Sequence, residues 1–229
     1  KDVVVTILDT VSPIIKTQPI SVYLNQSGKA TINPNSLNKS SSDNCGIQSF
    51  TASQTTFDCS NLGSNSINVT ASDASANKTT KKEVVNVQDT IKPNLRYKNI
   101  VIYLNSSGSV TITPSDVDDG SNDNCGITSY EVSQSSFDCN NMGTNFIDFS
   151  VQDATRNKVT QSVRATVRDT FAPVIKIKPV TLHLNQYGFA VLSPNDVDDG
   201  SVDNCSISNR SLAQSVFTCG NIGTNNVGF

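Results

Sequence analysis

The sequence has no tryptophan, one methionine and one histidine, and aromatic residues make up 6% of its 229 positions. Each shortage closes off a class of function. A sugar-binding platform leans on exposed aromatic rings, and here Tyr23 and Tyr103 hold equivalent places in a repeated pattern while His183 takes the third. One histidine leaves no repeated Ser/His/Asp or Cys/His set for catalysis and no His-bearing zinc site. No apolar run reaches the roughly 20 residues that a membrane-spanning helix needs, so no membrane insertion is expected in this segment. Charge is sparse too: 17 basic against 20 acidic side chains give net −3. Without clustered Lys and Arg, no nucleic-acid surface is expected. A pair of catalytic carboxylates would need a cleft, whereas the acids bunch on one loop. The expectation is a protein that is not an enzyme.

What is present is a period. Asp43-Asn44-Cys45 recurs as Asp123-Asn124-Cys125 and Asp203-Asn204-Cys205, with 123 − 43 and 203 − 123 both equal to 80. A second cysteine follows each first one at constant spacing, at Cys59, Cys139 and Cys219, since 59 − 45, 139 − 125 and 219 − 205 all equal 14. An 80-residue unit is too long for a solenoid turn and long enough for a small core of its own. The period divides the chain into 9–88, 89–168 and 169–229, the last without its closing hairpin, and 1–8 reads as the last strand of a preceding copy. Between copies stands Asp-Thr-x-x-Pro, at Asp9…Pro13, Asp89…Pro93 and Asp169…Pro173. Proline stops strand pairing and stiffens the junction, which predicts beads on a short-linker string.

Within a copy the apolar residues alternate with polar ones, as in half-buried strands. Ile20, Val22 and Leu24 match Ile100, Ile102, Leu104 and Val180, Leu182, Leu184 as inward positions. The turn Asn25-Gln26-Ser27-Gly28 predicts a hairpin into a return strand carrying Ala30 and Ile32. Ile67, Val69 and Ala71, matching Ile147, Phe149 and Val151, mark a stronger strand, and Val85 and Val87 mark the closing one. About seven short strands separated by turn signals predict an all-β chain of tandem immunoglobulin-like β-sandwich repeats.

The motifs themselves are specific. DTxxPxI, DNCGI, FDCxNxGxN and the DAxxNK of Asp73–Lys78 and Asp153–Lys158 resemble the hyalin-repeat type of immunoglobulin-like module. With LNxxGxxTIxPxDVDDGSxDNCGI added, the chain is similar to the repeats of giant surface adhesins of gliding Bacteroidetes, which leave the cell by type IX secretion. That resemblance covers nearly the whole chain and implies an extracellular, cell-surface location and a link to secretion and motility machinery.

Three sets of residues are candidates for chemistry. The six cysteines allow 15 pairings, and bonds within each copy, Cys45–Cys59, Cys125–Cys139 and Cys205–Cys219, are expected as the scheme that treats all copies alike. In the loop Asp116, Asp118, Asp119 and Asp123, repeated as Asp196, Asp198, Asp199 and Asp203, crowded carboxylates suit Ca²⁺, against a plain turn as the alternative. The first copy has Ser36, Asn38 and Lys39 where those acids stand, keeping only Asp43, which puts its site in doubt. Asp73 and Asp153, with Asn77 and Asn157, shape a second polar turn and would join a cation site at the junction with Asp9, Asp89 or Asp169. Thr10 and Thr90 sit in Asp-Thr-aliphatic triplets that look like acceptors for O-glycans in Bacteroidetes, against a plain junction turn.

Two functions compete. The first is a structural and adhesive repeat region of a large exported surface protein, serving attachment or gliding and meeting polysaccharide or other surface material. The second is an accessory module that positions the catalytic domain of a secreted enzyme.

Overall fold

The alternating segments form strands with the apolar side turned inward. The computed structural model describes residues 1–229. In the first copy the strands are β1 (Ile20–Tyr23), β2 (Lys29–Thr31), β3 (Ile47–Ala52), β4 (Thr56–Asp58), β5 (Gly63–Asp73) and β6 (Lys78–Gln88). The same six recur one period later as β7 (Ile100–Tyr103), β8 (Ser109–Thr111), β9 (Ile127–Val132), β10 (Ser136–Asp138), β11 (Gly143–Asp153) and β12 (Lys158–Arg168). The third copy has β13 (Phe189–Val191) and β14 (Val216–Thr218). The chain is all-β, built of tandem immunoglobulin-like sandwiches.

The larger sheet of the first copy has the order β1-β6-β5-β3, and the smaller pairs β2 with β4. Strands β5 and β6 form a long antiparallel hairpin, with Asn65 opposite Val85. Strand β1 runs parallel to β6, Ile20 opposite Val85 and Val22 opposite Val87. In the small sheet Ala30 faces Phe57. Residues from both sheets meet in one core: Ile67, Val69, Val85 and Val87 from one, Phe57 from the other, with Leu24, Ile32 and Leu37 closing its edges. Leu37 reaches it from a single 3-10 turn, Pro34–Leu37, where the Asn33 side chain accepts the Asn35 N–H. The second copy repeats the order as β7-β12-β11-β9 with β10-β8. Phe137, Ile147, Phe149, Val151, Val163 and Val167 are among its fully buried residues.

Four features depart from the expectation. The turn at Asn25–Gly28 is formed, with Gly28 at φ +69°, but it does not close a hairpin. The chain changes sheets there: β1 pairs with β6 and β2 with β4. Each of the first two copies has six strands, because the residues before β1 make only isolated bridges, Ile14 to Ser42 and Thr17 to Asn38. Residues 1–8 are not a strand, and Val3, Val5 and Ile7 are exposed. Their counterparts in β6 and β12 are held by the preceding hairpin strands β5 and β11. Residues 180–184, the counterparts of β1 and β7, form no strand. Ala190, Leu192 and Phe217 are nevertheless buried.

The chain forms two compact units. One comprises 1–97, 118–131 and 149–161, and the other 98–117, 132–148 and 162–229.

Phe57, 2% exposed in the first core, is expected to cost about 3–5 kcal/mol when changed to Ala, through lost burial and a residual cavity. Tyr23→Ala on the outward face of β1 should stay within about 0.5 kcal/mol. Denaturant titration of both variants against the parent chain measures the difference.

Candidate functional site

The cysteines pair across copies and not within them. Cys59 is bonded to Cys125 and Cys139 to Cys205, each over 66 residues, while Cys45 and Cys219 are free and exposed. This corrects the expected bonds Cys45–Cys59, Cys125–Cys139 and Cys205–Cys219. The reason lies in the strands. Cys59 stands beside the end of the sheet where Gly63 pairs with Val87, whereas Cys45 precedes Ile47, which pairs with Asp73 at the opposite end of β5. Ten residue steps of strand put those ends roughly 33 Å apart, far beyond what a disulfide spans. A scheme shifted by one copy is as periodic as the local one, so symmetry does not choose between them.

In the first compact unit the bond rests on a close approach of backbones. The Asn25–Gly28 turn brings Gly28 against Cys59 Sγ and the Asn124 carbonyl, and a Cβ on Gly28 would come within 2.7 and 2.8 Å of them. Asn124 donates from its side-chain amide to Asn25 O at 3.4 Å and to Asp89 Oδ1 at 3.1 Å. The second unit repeats this with Asn204, which donates to Asn105 O and Asp169 Oδ1, and with Gly108 against Asn204 O and Cys139 Sγ. The Asp-Asn-Cys triplets of the second and third copies are thus docking plugs: the Asp turns the loop, the Asn holds the junction Asp, and the Cys makes the covalent bond, whereas Cys45 of the first triplet is free.

The acidic loop is mostly a turn. Asp116 Oδ2 accepts from the N–H and hydroxyl of Thr113 at the start of the short helix Pro114–Val117, as Asp196 does from the Ser193 N–H. Those hydrogen bonds hold the Asp116 carboxyl below its ordinary range. Asp118 Oδ1 accepts from the Ser121 N–H at 3.0 Å, Asp198 Oδ1 does the same from Ser201, and Asp198 also pairs with Arg210. In the first copy the amide oxygen of Asn38 accepts from the Ser41 N–H at 2.9 Å, so this position needs an acceptor and no charge. Asp119 and Asp199 are exposed. The eight acids expected to form cation sites are therefore not brought together as sets; among them Asp123 alone joins a cluster of other acids.

That cluster joins three distant segments. Asp89 of the junction, Asp123 of the plug and Asp153 at the end of β11 place one carboxylate oxygen each within 4.8 Å of one another. Asp9, Asp43 and Asp73 form the same cluster in the first copy, which retains it although Ser36, Asn38 and Lys39 replace loop acids. The polar turn after β11 aims the third member. Asp153 Oδ1 accepts the N–H groups of Thr155 and Asn157, and Asn157 donates onward to the Asp89 and Ile91 carbonyls. Asp73 accepts from Asn77, which donates to the Asp9 carbonyl. Burial, with the neighbouring Asp89 and Asp153, raises the pKa of Asp123 despite the Cys125 N–H it accepts. In the third copy Asp169 and Asp203 hold the corresponding places.

His183, Thr10 and Thr90 are exposed, as are Tyr23 and Tyr103. The plug-to-turn contact has one sequence signal, the asparagine that recurs beside every first cysteine at Asn44, Asn124 and Asn204.

In the chain-entropy model a bond closing 66 residues restricts the unfolded state by about 4 kcal/mol, so Cys59→Ser should approach that loss in denaturant titration while Cys45→Ser changes little. Peptide mapping without reduction should recover Cys59–Cys125 and Cys139–Cys205. The Asp9 carboxylate beside Cys45, with lesser contributions from Asp43 and Asp73, pushes its thiol above the usual range. Only the thiolate is alkylated, so iodoacetamide labelling at Cys45 should keep rising at pH values where an ordinary thiol, at about 8.5, has levelled off. A profile at or below the ordinary one would mean that Asp9 carries no negative charge there.

No family model matches the chain, and no curated protein does. Among solved structures it is similar to extracellular cadherin domains 1–4 of protocadherin gamma B7, at 12% identity and TM-score 0.33, covering 88% of this chain and 61% of that one. Mouse cadherin-23 EC22–24 gives 14% identity and TM-score 0.37, covering 88% and 80%. Human protocadherin-24 EC1-2 gives 12% identity and TM-score 0.36, covering 70% and 100%. The fold assignment rests on the paired sheets and their shared core, not on these likenesses.

Proposed function

We propose that this chain is a structural and adhesive repeat region of a large exported cell-surface protein, holding a binding surface away from the cell. The observation that carries the reading is the bond from one copy's Cys to the next copy's plug, made twice. Structural disulfides persist in oxidising surroundings outside the cytoplasm. A covalent tie between consecutive copies adds nothing to a catalytic site and much to a long stalk. The reading contains no catalytic step. Its partners are other repeats of the same protein and surface material such as polysaccharide, engaged through many copies at once. Attachment during gliding, with export by the type IX route, is the specific form suggested by the DTxxPxI, DNCGI and FDCxNxGxN motifs.

Antibody raised against the folded chain tests this. It should label intact, unpermeabilised cells of the source organism and reduce their attachment to a surface. Labelling that appears only after permeabilisation would overturn the reading.

A further inference from the structure

Once the turns have taken Asp116, Asp118, Asp196 and Asp198, the two junction clusters still need an explanation. We propose that Asp9, Asp43 and Asp73 bind one Ca²⁺ ion and that Asp89, Asp123 and Asp153 bind a second, each ion tying a junction to the plug and the polar turn beside it.

The geometry brings three carboxylate oxygens within 4.8 Å of one another in each cluster. A second observation is independent of the clustering. Asp89 is 5% exposed, and its Oδ2 is buried with no hydrogen-bond partner; Oδ1 is the atom that accepts from Ile91 and Asn124. Asp123 Oδ1, Asp9 Oδ2 and Asp43 Oδ1 are likewise buried and unpartnered. Buried polar atoms in folded proteins nearly always have partners, so four orphaned carboxylate oxygens in two equivalent places point to a cation. The protein does not supply one. Its two ion pairs, Lys158–Glu131 and Arg210–Asp198, involve none of the six acids, and the hydrogen bonds to them come from backbone N–H, amide and hydroxyl donors and, at Asp9, from the Cys45 thiol, none of them a cation.

The donor set selects the ion. It consists of carboxylates alone, without imidazole, and in the second cluster the nearby sulfur of Cys125 is tied up in a disulfide. Hard oxygen ligands favour Ca²⁺ or Mg²⁺ over zinc or copper, and irregular placement from two loops and a strand end suits the flexible coordination of Ca²⁺ better than the strict octahedron of Mg²⁺. The site differs from an acidic-loop site in one testable respect. The first copy lacks the loop acids and keeps all three junction acids, so it binds as the second copy does.

The test is calorimetric titration of Ca²⁺ into the metal-stripped 229-residue chain with both disulfides formed. Two ions per chain are expected, with a rise in melting temperature. Asp43→Asn should remove or weaken one site at least tenfold and Asp123→Asn the other, while the double variant Asp118→Asn, Asp119→Asn keeps both. Recovery of Cys59–Cys125 by mapping shows that a variant has folded; Asp9→Asn and Asp89→Asn replace any that has not. Absence of binding at millimolar Ca²⁺ overturns the proposal. So does binding lost in the Asp118/Asp119 variant and retained in Asp43→Asn and Asp123→Asn.

Discussion

The seating of the Asp-Asn-Cys plug on a tight turn is the contact on which the rest depends. It fixes which cysteine meets which, because Cys125 reaches Cys59 only if Asn124 lies against Asn25 and Gly28. It also explains a glycine that a turn alone would only favour. Gly28 is required twice, once for its positive φ and once because a side chain would strike the disulfide and the Asn124 carbonyl. The Asn25 carbonyl that packs here is satisfied by the Asn124 amide, while Asn124 Oδ1 and Asp89 Oδ2 stay buried without a partner.

The same seating creates an electrostatic cost. Asn124 holds one oxygen of Asp89 while Asp123 and Asp153 crowd close to it, and burial removes the water that would screen them. A cluster of this kind is unfavourable when fully ionised and favourable once a cation or a proton balances it. Asp123 shows the direction: its raised pKa means that any stability it adds in the absence of a cation is present at low pH and lost as pH rises through the folded value. The disulfide and the carboxylate cluster therefore act at one place with opposite signs.

Much of the fold was legible in the sequence because period-two alternation reports burial directly. Ile67, Val69 and Val85 are buried where the pattern put them, and the periodic order of the elements holds through both complete copies. Sheet membership was not legible. Asn25–Gly28 has the residues of a hairpin turn, but turn chemistry sets the local bend and does not say whether the two strands pair with each other. The site was half legible. Asp73, Asp153 and the junction acids stood out as polar landmarks, and the density of acids in Asp116–Asp123 drew attention to charges that the structure spends on caps and turns. Asn38 exposes the difference, since it stands in the place of Asp118 without loss of the bond. The cysteine register was hidden because sequence spacing carries no information about which end of an 11-residue strand a loop occupies.

The shifted disulfides also redraw the path by which tension crosses the chain. A pull entering at Cys59 passes straight to Cys125 and bypasses the residues between them; it then follows the backbone to Cys139 and jumps again to Cys205. Only the stretch from Cys125 to Cys139 bears load in that period. Fully drawn out it reaches roughly 50 Å, against roughly 280 Å for an unbridged copy. Everything else in the copy, including its long β-hairpin, belongs to covalent loops that the two bonds close, so a stalk built this way would have a short tether length even if its sandwiches came apart.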